Sequence, residues 1–166
     1  MQRLTRLTLA AGLVLAIGAS PVAARAQGPT IVDTAIAVNA ATGEFDHLIG
    51  AVVRADLVET LDGNRKFTVF APTDAAFEKL FAALGVEGVA DIPVGTLRAV
   101  LLYHVAPGER LSGDVVEASR IRTLGKAFLR PSISGGVPYV NAAQIVIPDV
   151  DASNGVIHVI DTVLVP

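Results

Sequence analysis

The stretch Asn154-Gly-Val-Ile-His-Val-Ile-Asp-Thr-Val-Leu-Val-Pro166 decides how this chain folds. Its opening Asn-Gly pair favours positive φ and a tight reversal, a strong hairpin signal. Val156 to Leu164 is therefore predicted as a strand. Side chains of a strand alternate between two faces. Val156, His158, Ile160, Thr162 and Leu164 share one face; Ile157, Val159 and Val163 line the other. Asp161 interrupts the second face, and its carboxylate needs a hydrogen-bonding partner, expected from a nearby backbone amide. A strand that is apolar on both faces has to be covered on both, which places it at the centre of a sheet.

Working outward, Lys66 to Phe70 (KFTVF) is a second short β-rich run, closed by Ala71-Pro72. Arg120 to Leu124, Ala127 to Arg130, Val137 to Val140 and Gln144 to Ile147 are further β-prone pieces separated by Gly, Pro and Asn. Before them the apolar residues fall at helical spacing. Phe45, Leu48, Ile49, Val52 and Val53 form one such face, with Glu44 and Asp46 in the first turn. Phe77, Leu80, Phe81 and Leu84 form another, begun by Thr73-Asp74, either of which can cap it, and stopped by Gly85. Leu97, Val100, Leu101, His104 and Val105 form a third, begun by Pro93 and ended by Pro107-Gly108. A shorter helix over Ile31 to Val38 precedes them. Helices early and strands late, without regular βαβ alternation, predict an α+β fold.

The N-terminus reads as a secretory leader. Arg3 and Arg6 precede an apolar run from Leu7 to Ala19, and Ala24-Arg25-Ala26 puts small residues where a signal peptidase reads. That run is about a dozen residues, short of the roughly 20 needed to span a bilayer. Cleavage after Ala26 leaves residues 27–166, the usual size for one domain, with no second long apolar segment to act as a stable membrane anchor. The expected location is secreted or periplasmic. There is no cysteine, so the core has to hold without disulfides. Removing Arg3, Arg6 and Arg25 takes the net charge from −3 to −6. An acidic domain is repelled by polyphosphate, which argues against nucleic acid as partner. One basic cluster stands out, Arg120, Arg122, Lys126 and Arg130: either a solvated strand face or a site for an anionic polysaccharide.

Residues with catalytic or metal-binding patterns are scarce. No serine sits in a Gly-x-Ser-x-Gly turn; Ser134 is followed by Gly135-Gly136, which fits a flexible loop. No phosphate-cradling glycine loop is present. His47, His104 and His158 are never paired four residues apart, so no zinc-helix motif forms. Asp149-Val-Asp151-Ala-Ser153-Asn154-Gly155 begins like a calcium loop, but its glycine comes one residue late and Ile160 stands where the closing glutamate belongs. The expectation is no enzyme, no cofactor and no metal. His104 lies on the apolar side of its helix beside Tyr103. It is either a core histidine whose ring finds hydrogen-bonding partners, or part of a partly exposed contact patch.

Three segments resemble the fasciclin domain family. Phe67-Thr-Val-Phe-Ala-Pro-Thr-Asp-Ala-Ala-Phe77 is similar to its first signature, Asn154 to Pro166 to its second, and Leu101-Leu-Tyr-His-Val105 to the tyrosine-histidine motif between them. The resemblance implies a β-wedge of two sheets with flanking helices, acting as a non-catalytic adhesion or interaction module. In animal members the tyrosine-histidine region is implicated in integrin binding, which makes Leu101, Leu102, Tyr103, His104 and Val105 the candidate partner-binding residues. A single domain behind a signal peptide is similar to bacterial members linked to attachment and host association. The implied partner is a protein or polysaccharide on a cell surface or matrix. The alternative, from the wealth of small and branched apolar residues, is a carrier of a small apolar ligand such as a lipid.

Overall fold

The computed structural model describes residues 28–166; the expected leader and its cleavage point lie outside them. The first helix, α1, spans Ile31–Thr42 and opens with a reciprocal cap. The Asp33 N–H donates to the Thr30 hydroxyl, and the Asp33 carboxylate accepts the Thr30 N–H. It runs past the expected end at Val38 and stops where Gly43 turns left-handed (φ 68°). Next come α2 (Asp46–Arg54), α3 (Val58–Leu61), β1 (Phe67–Pro72) and α4 (Asp74–Leu84). Thr73 caps α4 through its hydroxyl and Gly85 ends it at φ 68°. Asp74, the other candidate cap, serves a different helix: its carboxylate accepts the Asp46 and His47 amides at the start of α2.

After a 3-10 turn over Val89–Asp91 follow α5 (Val94–Tyr103), β2 (Val105–Pro107) and α6 (Ser112–Glu117). The third helix thus ends earlier than its spacing predicts. Val105 to Pro107 leave it to pair antiparallel with Phe67 to Val69 at the sheet edge, where a proline costs no ladder bond. The remaining strands are β3 (Ile121–Arg122), β4 (Phe128–Leu129), β5 (Pro131–Ser134), β6 (Val137–Val140), β7 (Ala143–Ala152) and β8 (Gly155–Ile160). Gly135-Gly136 is not a loose loop. With φ of 60° and 83° it forms the two-residue turn that pairs Ser134 with Val137.

Six strands form one curled sheet in the order β2-β1-β8-β7-β6-β5, and β3-β4 is a separate hairpin. β8 lies parallel to β1 and antiparallel to β7. β7 joins the two ends of the sheet: Ala143 and Gln144 pair with β6, and Ile145 to Ala152 pair with β8 through two register breaks. These bulges bend the strand and curl the sheet.

The expected central strand is there, covered on both faces. Ile157 and Val159 pack with Val69, Ala71, Phe77, Leu97 and Leu101 under the helices. Ile160 packs on the other side with Phe70, Tyr103, Ile121, Leu129 and Val140. β8 is shorter than expected, ending at Ile160. Asp161 leaves the ladder and its carboxylate accepts the Gln144 amide at 2.9 Å, the backbone partner it was expected to need. The reversal is also shifted by one residue. Ser153 and Asn154 make the turn, and Gly155 is the first residue of the strand. A Cβ on Gly155 would overlap the Phe67 carbonyl oxygen and crowd Ile31, and its φ of 151° is one L side chains rarely adopt.

Candidate functional site

The candidate partner-binding stretch runs from the end of α5 into β2. Its residues do not form a surface. Leu101, Tyr103, His104 and Val105 are buried, and Leu102 is half-buried. The reason is topological. α5 lies against the helical side of the sheet, while the chain after it crosses to the edge of β1, so successive side chains face the two cores. An expected contact patch is therefore an internal joint.

His104 makes that joint specific. Its Nδ1–H donates to the Val100 carbonyl at 2.7 Å, and its Nε2 accepts the Leu164 N–H at 2.8 Å. Its own carbonyl accepts the Phe70 amide. One residue thus ties α5, β1 and the C-terminal segment together. Both ring nitrogens are engaged as a neutral imidazole requires. Burial drags its pKa down to about 4, against a smaller upward pull from the Val100 carbonyl. The reading of His104 as a core histidine with partners is the one the geometry supports.

Tyr103 reaches the opposite way. Its hydroxyl donates to the Phe128 carbonyl at 3.1 Å and accepts from the Asn141 side-chain amide at 3.0 Å. Asn141 in turn accepts the Arg130 N–H. The backbone adds two bonds, from the Leu124 amide to the Val105 carbonyl and from the Gly125 amide to Leu102. Gly125 lies so close to the Tyr103 backbone that a Cβ would sit 3.1 Å from its nitrogen. The tyrosine-histidine stretch holds the β3–β4 hairpin in place from beneath.

His158 is the second buried imidazole, and it carries the opposite tautomer. Nε2–H donates to the Arg110 carbonyl at 2.9 Å, and Nδ1 accepts the Asp149 N–H at 3.2 Å. Burial lowers its pKa, partly opposed by the Arg110 carbonyl and the Asp149 carboxylate. Asp149, at φ 57°, uses its carboxylate to accept the Ser112 amide and hydroxyl at 2.7 and 2.6 Å, anchoring α6. Ser112, Asp149 and His158 are thus neighbours, but the serine hydroxyl points to the carboxylate and not to the imidazole. The serine–imidazole contact of a Ser–His pair is therefore not formed.

The calcium-like run is likewise committed elsewhere. Asn154 accepts the Ile31 N–H at 2.7 Å and donates to the Leu61 and Gly63 carbonyls, fastening α1 and α3 to the hairpin turn. Among the described residues, no group of three or more His, Asp or Glu side chains is placed to hold a metal ion.

Two further surfaces were only half visible in the sequence. Arg120, Arg122, Lys126 and Arg130 are exposed on the β3–β4 hairpin, joined by Phe128, which the charge pattern alone does not single out. Beneath α1, two adjoining apolar recesses of about 210 and 150 Å³ share Ala35, Ala71 and Ile157 as walls. The second extends to Ile36 and Val53, both exposed.

A family model described as the fasciclin domain matches residues 43–166. The chain belongs to the fasciclin domain family. This fasciclin domain is 40% identical over 133 residues to protein sll1483 of Synechocystis, covering 80% of this chain and 73% of that protein. It is 35% identical over 151 residues to the cell surface glycolipoprotein MPB83 of Mycobacterium bovis, covering 90% of this chain and 66% of that one. Its fold matches that of a FAS1 domain pair from the insect cell adhesion molecule Fasciclin I at a TM-score of 0.68 and 19% identity, over 83% of this chain and 51% of that one. Among the described residues, no helix is long and apolar enough to cross a membrane.

Proposed function

We propose that this fasciclin domain is exported and acts without catalysis, as a binding module for a protein or polysaccharide on a cell surface or matrix. One observation carries the reading. The buried imidazoles of His104 and His158 have both ring nitrogens hydrogen-bonded within the fold, and Ser112 and Asp149 bond to each other at the start of α6. What the fold presents outward is a shaped surface. The cell-surface and adhesion relatives point the same way.

In this reading the Leu101 to Val105 stretch acts from within. Tyr103 positions the β3–β4 hairpin, and only Leu102 is half-exposed. The test is retention of cells or extracted matrix on a surface coated with the purified exported protein. Retention above an albumin-coated control is expected. Failure to retain any host-envelope, matrix or cell preparation would count against the proposal.

A second reading, carriage of a small apolar ligand, is favoured by the recesses beneath α1, which only apolar side chains line. Such concave apolar walls are what small-molecule sites use. Native mass spectrometry of protein purified from its own host decides it. A carrier arrives with bound mass that organic extraction removes, and consistently bare protein would end this reading.

A further inference from the structure

The β3–β4 hairpin has two unlike faces. Ile121 and Leu129 pair across it and are completely enclosed, packed in the second core with Tyr103 and Val140. Arg122 pairs with Phe128 on the outward face. Arg120 and Arg130 flank the two strands directly and are exposed, and Lys126 is exposed in the connecting turn at φ 65°. Four exposed cationic residues therefore lie on the small hairpin that carries Phe128. The Arg120 guanidinium lies 4.6 Å from the centre of that ring, which is still 44% exposed.

Two features separate this face from an ordinary solvated one. The first is that its charges are not neutralised by carboxylates. Among the described residues, none of the four cationic groups meets a carboxylate within ion-pairing distance, although the domain is acidic overall. The second is rigidity. The hairpin is fastened from below by the Tyr103 hydroxyl and by the Leu124 and Gly125 amides, so the cations sit on a platform ordered before any partner arrives. Prior ordering lowers the entropy cost of association.

We propose that this face binds an acidic polysaccharide, a glycan bearing carboxylate or sulfate groups. The inference deepens the surface-contact reading above and rests on it. Arginine presents a planar fork of donors that matches a carboxylate or sulfate in bidentate geometry. Arg120, just before β3, and Arg122 within it are two residues apart, about 7 Å in extended chain, so they engage successive groups of a chain and not a single ion. Phe128, its ring covered on one side by the Arg120 guanidinium, keeps 44% of its surface exposed and offers an apolar contact for the C–H side of a sugar ring. Double-stranded nucleic acid fits less well. Its charge is dense, one per about 1.7 Å of axis, far closer than the spacing of about 7 Å between Arg120 and Arg122. A membrane surface fits less well too, since Phe128 is the lone large apolar side chain among these cations.

The experiment is a binding titration of the purified exported protein against alginate and heparin. Neutral dextran, double-stranded DNA and anionic phosphatidylglycerol vesicles are run in parallel. The variants are R120Q/R122Q, which removes two charges from exposed positions, and Phe128→Ala, each checked for an unchanged circular dichroism spectrum. Expected is binding to alginate or heparin that weakens as salt is raised, no binding to dextran, and a loss of about tenfold in R120Q/R122Q. Equal affinity in wild type and R120Q/R122Q overturns the inference, as does equal binding to dextran or tighter binding to DNA or vesicles. Retention of cells by a protein that binds neither alginate nor heparin sinks this inference alone. Absence of both retention and glycan binding sinks the adhesion reading with it.

Discussion

The Nε2 of His104 accepts the backbone N–H of Leu164 at 2.8 Å, across sixty positions of chain and with no access to solvent. Protonation of that nitrogen would turn an acceptor into a donor facing another donor. The bond therefore exists only in the neutral form, and burial depresses the pKa to about 4 in keeping with it.

Stability should accordingly depend on pH in one direction. The folded pKa lies below the unfolded value of 6.5, so the unfolded chain takes up more protons between them. Stability is complete above about pH 6.5 and falls as pH drops toward 4. For His104 alone the loss is on the order of 3 kcal/mol, and His158 adds in the same sense. Urea midpoints measured from pH 8 to pH 4.5 should decline through this window. A flat profile would contradict the assignment of His104 as buried and neutral.

Tyr103→Phe should keep the fold but loosen the β3–β4 hairpin. It removes the hydroxyl that bridges the Phe128 carbonyl and Asn141, at a cost of about 1 to 3 kcal/mol. Amide exchange at Leu129 and Arg130 should accelerate more than exchange in α4. Uniform acceleration across the molecule would mean that Tyr103 acts globally and not on the hairpin.

Asn154→Ala deprives the Ile31 amide and the Leu61 and Gly63 carbonyls of a partner at one stroke. Two or more buried groups left unsatisfied cost roughly 2 to 5 kcal/mol. Thermal unfolding should shift down by many degrees, with α1 the first element to lose exchange protection. A shift within a degree of wild type would show that water replaces the side chain.

Gly155→Ala should be the most damaging small substitution. The added methyl overlaps the Phe67 carbonyl at the start of the β1–β8 pairing. Neither strand can move without breaking the ladder, and a cost above about 3 kcal/mol is expected. The readout is soluble yield and urea midpoint beside Gly43→Ala, where no atom lies within 4 Å of the new Cβ and only the positive φ opposes it.

The exported protein is expected to begin at Gln27. Edman sequencing or intact mass of material from the host periplasm or medium checks this. An unprocessed Met1 start would overturn cleavage after Ala26.

Helices α2 and α4 were legible because their instructions are local. Phe77, Leu80 and Phe81 lie on one stripe, and Thr73 and Gly85 fix the ends within the same few residues. The central strand was legible because both its faces are apolar. α6 and β5 were not, since each depends on something distant. α6 has six residues and its amide partner is Asp149, far along the chain. Pro131-Ser-Ile-Ser134 has little strand character until β6 returns across Gly135-Gly136.

The candidate site was legible in part for the same reason. The sequence marks Tyr103 and His104 as unusual, but it cannot say whether an unusual residue faces in or out. That is set by where α5 stops, and α5 stops because β1 offers Val105 to Pro107 an edge. The four basic residues were visible as a cluster. Phe128 was not, because only the hairpin register brings it among them.

The parallel pairing of β1 with β8 has a consequence for biogenesis. The strand at the middle of the sheet is the last one synthesised, and β1 has no partner on that side until it arrives. A chain emerging from the ribosome cannot close prematurely into its final shape, however early its helices form. If the chain is exported as proposed, such delay keeps it slack until the far side is reached.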